Sequence, residues 1–277
     1  MRTLLAVWSF MLGAAIGSFC NVVIWRLPRG ESLVRPGSRC PTCGTPIHWY
    51  DNLPVVGYLL LRGLCRECGA VFSARYAVVE ALTGAIFLGV YLHLSQAAVF
   101  VAAMPVYWAL CAALVCVGFI DADHRIIPES ITGPGLALGV LVSVLLPALH
   151  ARGWPATSIE GPRLAALAAS GMGAVIGAGS LFVIGALGEV AFRKEAMGGG
   201  DLRLMAMVGA VLGWQLALLA VLLSAAGGAV IGAILALRTR DSHIPYGPYL
   251  AGGSVVSLLW GWRMIEAYVA FLLPSAG

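Results

Sequence analysis

Residues 98–123 read AVFVAAMPVYWALCAALVCVGFIDAD, a run of 23 uncharged and mostly apolar residues that ends at Asp121-Ala122-Asp123. About 20 apolar residues in a helix are enough to cross the hydrocarbon core of a bilayer. The whole chain of 277 residues is 60% hydrophobic and 11% charged, whereas soluble domains average about 25% charged residues. The run therefore predicts a transmembrane helix, and the composition excludes an ordinary soluble domain.

Other runs of similar length predict an all-α polytopic membrane protein with about eight transmembrane helices. The predicted helices cover residues 4–24, 76–95, 98–120, 128–149, 164–190, 201–214, 216–237 and 248–273. The run at 201–214 is short for a crossing, and we expect it to be packed inside the bundle. The first run has only Arg2 ahead of it and lacks a small-residue cleavage site, so it is predicted to be a retained helix.

Basic residues are concentrated in alternate connections between the predicted helices. Seven of the 17 lie between the first two helices: Arg26, Arg29, Arg35, Arg39, Arg62, Arg66 and Arg75. Because lysine and arginine are retained on the cytoplasmic side, these connections are predicted to be cytoplasmic. Both chain termini are then expected to face away from the cytoplasm. The net charge of +4 is interpreted as a topology signal and not as a nucleic-acid-binding surface.

Residues 26–75 form a long polar segment between helix 1, at residues 1–25, and a predicted transmembrane core at residues 76–277. The segment contains two Cys-x-x-Cys pairs, which comprise Cys40, Cys43, Cys65 and Cys68. Four thiolates at this spacing predict a closed, structural zinc site, and a cytoplasmic location argues against disulfides. Redox dithiols, an iron–sulfur site and an unoccupied site are the alternatives. Gly44 and Gly69 directly follow the second cysteine of each pair. A glycine there suits a turn whose backbone amides point back at the thiolate sulfur.

Asp121 and Asp201 are the candidate catalytic residues, because each adjoins a long apolar run. A carboxylate near a bilayer costs several kcal/mol unless it faces protein or water. Two such groups can share a proton and activate a water molecule, as aspartic proteases do. The charge bias of the loops places both at the same membrane face.

Several of the acidic residues near these runs also have a purely structural interpretation. Asp201 follows three glycines and suits the N-cap of a short helix. Asp123 and Glu129 suit a polar loop that caps the next helix. Gly198 and Gly200 would let an extended substrate backbone approach closely, because they carry no side chain. Asp123 is also a candidate for substrate binding.

Several separated motifs together indicate a known family. They are Gly17-Ser-Phe-Cys-Asn21-Val-Val-Ile-Trp-Arg26-Leu-Pro28, the Cys-x-x-Cys pairs, Ile120-Asp121-x-Asp123-x4-Pro128, Met197-Gly198-Gly-Gly200-Asp201-x-Arg203-Leu204 and Pro245-Tyr-Gly247-Pro248-Tyr249. In this order the chain resembles the type IV prepilin leader peptidases, also called prepilin peptidase/N-methyltransferases. It departs from them in having Glu129 where aspartate is usual and Arg203 where lysine is common.

The resemblance implies a membrane aspartic endopeptidase at the cytoplasmic face of a bacterial inner membrane. It implies that Asp121 and Asp201 form the catalytic dyad of a GxGD protease. The substrates would be type IV prepilins or type II secretion pseudopilins, from which the short basic leader is removed. The acidic residues Asp121, Asp123 and Glu129 could attract that leader.

Family members with the cysteine segment commonly also methylate the new N-terminus with S-adenosylmethionine. No glycine-rich nucleotide fingerprint on a βα unit is present here. A site for this cofactor would therefore be built from the cytoplasmic segment and helix ends, where Glu80, Asn21 and Arg26 are polar candidates. The alternatives are a peptidase without methyltransferase activity and a non-enzymatic zinc-ribbon transporter or scaffold, whose aspartates would lie near the membrane midplane.

Overall fold

The computed structural model describes residues 1–94, 102–152, 161–192, 198–238 and 245–272. These residues form helices and contain no β-strand, only two isolated bridges. The helices are α1 (Arg2–Arg26), α2 (Val56–Leu60), α3 (Arg75–Leu94), α4 (Met104–His124), α5 (Glu129–Leu145), α6 (Pro162–Phe192), α7 (Gly199–Leu212), α8 (Trp214–Arg238) and α9 (Gly247–Leu272). The predicted all-α class is confirmed.

Each of the eight predicted runs contains a helix, although their lengths differ. Within the described ranges, six helices are long and apolar enough to cross a membrane. The other two are α5 with 17 residues and α7 with 14. The run predicted at 128–149 divides at Pro147 into α5 and a short 3-10 turn, since proline cannot continue the hydrogen-bond ladder. The number of crossings stays a prediction, and the beginning of the 98–120 run lies outside the described residues.

Contacts divide the chain into two units. Unit 1 comprises Met1–Gln96 with Tyr107–Cys116, and unit 2 comprises Ala97–Val106 with Val117–Gly277. In unit 1, small residues let α1 lie against α3: a Cβ on Gly17 would be 2.8 Å from the Cα atom of Glu80. The Trp108 ring of α4 stacks on Phe87 at 5.2 Å. The predicted division into three segments is not tested by these contacts.

In unit 2 the short helix α7 is the most buried element. Leu204, Met205 and Val208 have no exposed surface, and glycines of α5 and α6 face this helix across close contacts. A Cβ on Gly139, for example, would lie 2.9 Å from Val211. Close helix approach through small residues is how apolar helices pack when water cannot drive their association. The structure thus supports the expectation that residues 201–214 are packed among other helices.

Candidate active site and metal centre

Asp121 lies in the last turn of α4, and its carboxylate is held by the backbone of a distant segment. The helix ends because Arg125 adopts a left-handed conformation, with φ at 56°, and donates its N–H to the Asp121 carbonyl oxygen at 2.8 Å. The side chain is buried, with 6% of the residue exposed. Its Oδ2 accepts a hydrogen bond of 2.8 Å from the backbone N–H of Gly247. One carboxylate oxygen is therefore fixed in position.

Gly247 makes this contact because it has no side chain. A Cβ added there would lie 2.7 Å from Oδ2, 2.8 Å from Cβ and 2.9 Å from Cγ of Asp121. Neighbouring residues fix the segment: Pro248 lies in the first turn of α9, where an N–H is not needed, and Ser224 Oγ donates to the Tyr249 carbonyl oxygen at 2.9 Å. The Pro-Tyr-Gly-Pro-Tyr motif therefore positions a backbone donor against Asp121.

Asp201 lies in the first turn of α7, which begins two residues earlier than predicted. The N-cap is Gly198, so Asp201 is the third helical residue and not the cap. Its Oδ2 accepts the Gly198 N–H at 3.3 Å, and its backbone N–H donates to the Gly198 carbonyl oxygen at 3.2 Å. The exposed N–H groups and dipole of a helix N-terminus favour a carboxylate at this position.

The two aspartates, 80 positions apart in the sequence, lie close enough to interact electrostatically. Tyr246 lies near Asp201: burial raises the pKa of its phenol, and the negative charge of Asp201 raises that pKa further. The structure therefore brings together the two carboxylates that the sequence predicted. It adds Tyr246 and Gly247, which sequence reasoning noted only as part of a motif at the start of an apolar helix.

The other predicted substrate-binding residues differ in their surroundings. Asp123 is exposed, two residues beyond Asp121, the last buried residue of α4. A Cβ on Gly199 would meet nothing within 4 Å, whereas one on Gly200 would lie 2.8 Å from the Cβ of Ile127. The absence of a side chain at Gly200 is thus explained by internal packing. A role in substrate binding for Gly198, Gly200 and Asp123 stays a prediction.

The two residues that depart from the family pattern form a pair. Arg203 Nη1 donates to Glu129 Oε2 at 2.8 Å, which joins the first turn of α7 to the first turn of α5. Both side chains are exposed, Arg203 at 52% and Glu129 at 72%. An ion pair in water contributes little stability. Glu129 therefore has a local partner, which the sequence alone did not indicate.

The four cysteines of the polar segment converge on one point in unit 1. Their sulfur atoms all lie within 4.8 Å of one another, and the Cys40 and Cys68 sulfurs are 3.8 Å apart. A tetrahedral zinc ion with Zn–S bonds of about 2.3 Å requires sulfur atoms about 3.8 Å apart. Cys40 and Cys65 are buried, and Cys43 and Cys68 are exposed. The donor set and its spacing fit a zinc ion.

Two matching turns carry these cysteines. Cys40 N–H donates to Thr45 O at 2.9 Å, and Cys65 N–H donates to Ala70 O at 2.8 Å. Gly44 and Gly69 have positive φ values of 73° and 68°, as glycine readily allows. Their amides donate to the carbonyl oxygens of Cys40 and Cys65. Other backbone amides of the two turns, those of Thr45 and Ala70, are directed at the sulfurs of Cys43 and Cys68, as expected.

A different amide is directed at a sulfur in the first turn. The backbone N–H of Cys43 lowers the pKa of the Cys40 thiol to about 6. A thiolate is the form of cysteine that binds a metal. The turn geometry therefore favours the metal-binding form of Cys40 near neutral pH.

A cavity of about 540 Å³ adjoins the cysteine turns in unit 1. Three of its lining residues are Asn21, Arg26 and Glu80, the polar candidates that the sequence nominated. Glu80 is buried, with 8% exposed, and its Oε2 accepts the Val55 N–H at 2.7 Å. Asn21 Nδ2 donates to the Tyr76 carbonyl oxygen at 3.0 Å.

Comparison with known proteins agrees with this arrangement. Residues 11–94 match the Bacterial Peptidase A24 N-terminal domain, and residues 108–233 match the Type IV leader peptidase family. Similar curated proteins are named prepilin leader peptidase/N-methyltransferase. The one from Myxococcus xanthus is 40% identical over 85% of this chain and 64% of its own length. The one from Pseudomonas aeruginosa is 34% identical over 95% of this chain and 93% of its own length.

A further relative with the same name, from Aeromonas salmonicida, is 33% identical over 95% of this chain and 94% of its own length. No solved structure gives a significant match to the chain. The resemblance in the motifs therefore extends over nearly the whole sequence, and the chain belongs to the type IV leader peptidase family.

Proposed function

We propose that this chain is a multi-pass inner-membrane aspartic endopeptidase that removes the short basic leader from type IV prepilins or type II secretion pseudopilins. The observation that carries the proposal is that Asp121 and Asp201, two carboxylates at the ends of apolar helices, are near enough to each other to interact electrostatically. The names of its relatives support the same activity. The distribution of arginine supports an active site at the cytoplasmic face.

The mechanism is general acid–base hydrolysis by the pair of carboxylates. The ionised member accepts a proton from water, and the protonated member donates a hydrogen bond to the scissile carbonyl oxygen. Since two close carboxylates do not both ionise freely, the pair titrates as a unit. Asp121 is oriented by the Gly247 N–H, and Asp201 is oriented by the Gly198 N–H.

A transporter or scaffold role is less compatible with the positions of the two residues. Asp121 lies in the last turn of its helix and Asp201 in the first turn of its own. Carboxylates that carry a cation across a membrane are expected near the middle of the crossing. Both positions instead suit a site at one membrane face, where a substrate leader is accessible.

The same chain methylates the N-terminus that cleavage exposes, as the names of its relatives suggest. S-adenosylmethionine would supply the methyl group. The bond from this methyl group to the sulfonium sulfur would break with its electron pair staying on sulfur, and the methyl carbon would form a new bond to the uncharged amine nitrogen. The proton of the amine passes to water. The four-cysteine cluster would hold zinc as a structural staple for a polar segment with a small apolar core. A closed four-thiolate sphere leaves no open position for catalysis.

Substitution of the aspartates tests the peptidase. Asp121→Asn or Asp201→Asn in the purified protein should lower the cleavage rate of a prepilin peptide by about three orders of magnitude or more. Asp123→Asn is the matched control, because this residue is exposed; it should stay within about tenfold of the unmodified enzyme. Product masses measure cleavage. Retained cleavage by either dyad variant would refute the mechanism, and equal loss in Asp123→Asn would reopen the assignment.

A further inference from the structure

The cavity of unit 1 has the size of a small-molecule site and lies between α1, α3 and the cysteine segment. Its volume of about 540 Å³ falls in the range of about 300–1,000 Å³ that is usual for ligand pockets. The lining comes from residues 18–80 only. Asp121 and Asp201 are therefore not among its lining residues.

A buried carboxylate lines this cavity. Glu80 accepts hydrogen bonds from the backbone of Val55 and from the side chain of Ser18. Val55 has a φ of 63°, a conformation that a β-branched residue rarely adopts. Strain of this kind persists only where the surroundings impose it, and it is concentrated at binding sites. The Glu80 bond thus holds the segment in a strained turn beside the cavity.

Aromatic rings form another part of the lining, from Tyr58, Phe72 and Tyr76. The Tyr58 ring lies against a glycine: a Cβ on Gly63 would be 2.8 Å from its Oη atom. Flat rings of this kind stack on a nucleobase and attract a cation to their faces. The cavity thus combines stacking surfaces with a buried carboxylate.

The charged lining is mixed in sign. Glu31 and Glu80 are acidic and Arg26 and Arg39 are basic, while Asp51 is paired with Arg66 through two hydrogen bonds, one of them 2.8 Å. A ligand with both signs of charge matches such a lining better than a polyphosphate or an apolar chain does. S-adenosylmethionine has a sulfonium cation, an amino-acid group of both charges and a planar adenine.

We propose that this cavity is the S-adenosylmethionine site, in which the Glu80 carboxylate pairs with the sulfonium cation and the aromatic residues stack on the adenine. The inference rests on the proposed methyltransferase function and adds its location. Arg26 is available for the carboxylate of the ligand, since among the described residues its side chain bonds only through Nη1, to Ser32 O at 3.0 Å. The cysteine cluster stabilises the segment that closes the cavity, because Cys40 contributes to both.

Ligand charge provides the sharpest test. In purified full-length protein, Glu80→Gln should weaken S-adenosylmethionine binding by about tenfold or more, since a charged partner contributes more than a neutral one. Binding of S-adenosylhomocysteine, whose sulfur is uncharged, should change less than about threefold. Glutamine retains an acceptor for the Val55 N–H. The control variant is Glu189→Gln, which removes an exposed carboxylate of α6. Calorimetric titration gives both affinities, and prepilin cleavage should persist in each variant.

Photochemical cross-linking of S-adenosylmethionine to the unmodified protein locates the site without a substitution. A labelled peptide within residues 18–80 supports the proposal, and one within 104–272 overturns it. Equal affinities of Glu80→Gln and unmodified protein for S-adenosylmethionine also overturn it. If unmodified protein cleaves prepilin but neither binds nor uses this cofactor, the methyltransferase part of the proposed function fails as well. A site mapped elsewhere leaves that function standing.

Discussion

Gly247→Ala should disable the peptidase without unfolding the protein. The added methyl carbon would start 2.7 Å from Oδ2 and 2.8 Å from Cβ of Asp121, so the carboxylate must retreat by about 0.8 Å, and the Gly247 backbone must shift from the end of α4, to reach ordinary van der Waals separation. That movement lengthens the 2.8 Å hydrogen bond from the Gly247 N–H. A misplacement of about 1 Å in a reacting group costs about a hundredfold in rate. We therefore expect kcat to fall about a hundredfold while KM changes little.

The measurement is the rate of leader removal from a prepilin peptide in detergent at saturating substrate. Gly252→Ala is the matched control, because it changes the same residue type in the same helix and its new Cβ meets nothing within 4 Å. The control should retain its activity, and both variants should keep the helical circular dichroism of the unmodified protein. If folded Gly247→Ala retains more than about a third of the unmodified kcat, the positioning argument is refuted.

Three further predictions follow from local geometry. Gly200→Ala should lower the cleavage rate at least tenfold, because its added methyl group meets the packed side chain of Ile127. Gly199→Ala, whose methyl group meets nothing within 4 Å, should leave the rate within twofold, and equal rates in the two variants would contradict this. Glu129→Gln should change the free energy of unfolding by less than about 0.5 kcal/mol, since its ion pair is exposed; a larger loss in thermal unfolding would disprove it. Cys43→Ser should remove bound zinc, measured by atomic emission, from a protein that otherwise carries one ion per chain; unchanged zinc would exclude the cluster.

Much of this architecture could be predicted from local sequence. Hydropathy acts residue by residue, so uncharged runs such as 216–237 identify helices without knowledge of their neighbours. Cysteine pairs predict a four-cysteine cluster for a similar reason, because two turns of a few residues supply all four sulfur atoms that could hold a metal. Helix ends were less accurate: α7 begins at Gly199 and not at Asp201, since a glycine cap is a weaker signal than an acidic residue.

The candidate site depended on contacts between distant parts of the chain. Asp121 and Asp201 could be nominated from their flanking residues, but their proximity requires the end of α4, from Val117 onward, and α7 to pack within unit 2. The Gly247 donor is 126 positions from its acceptor, and no local property of glycine predicts which carboxylate it meets. The sequence by itself therefore determined the membrane class, the helices and the cysteines that could hold a metal, because these follow from short-range chemistry. Only the tertiary structure decided which backbone amide orients each carboxylate and where Glu80 faces a cavity, because those contacts exist only once the helices have packed.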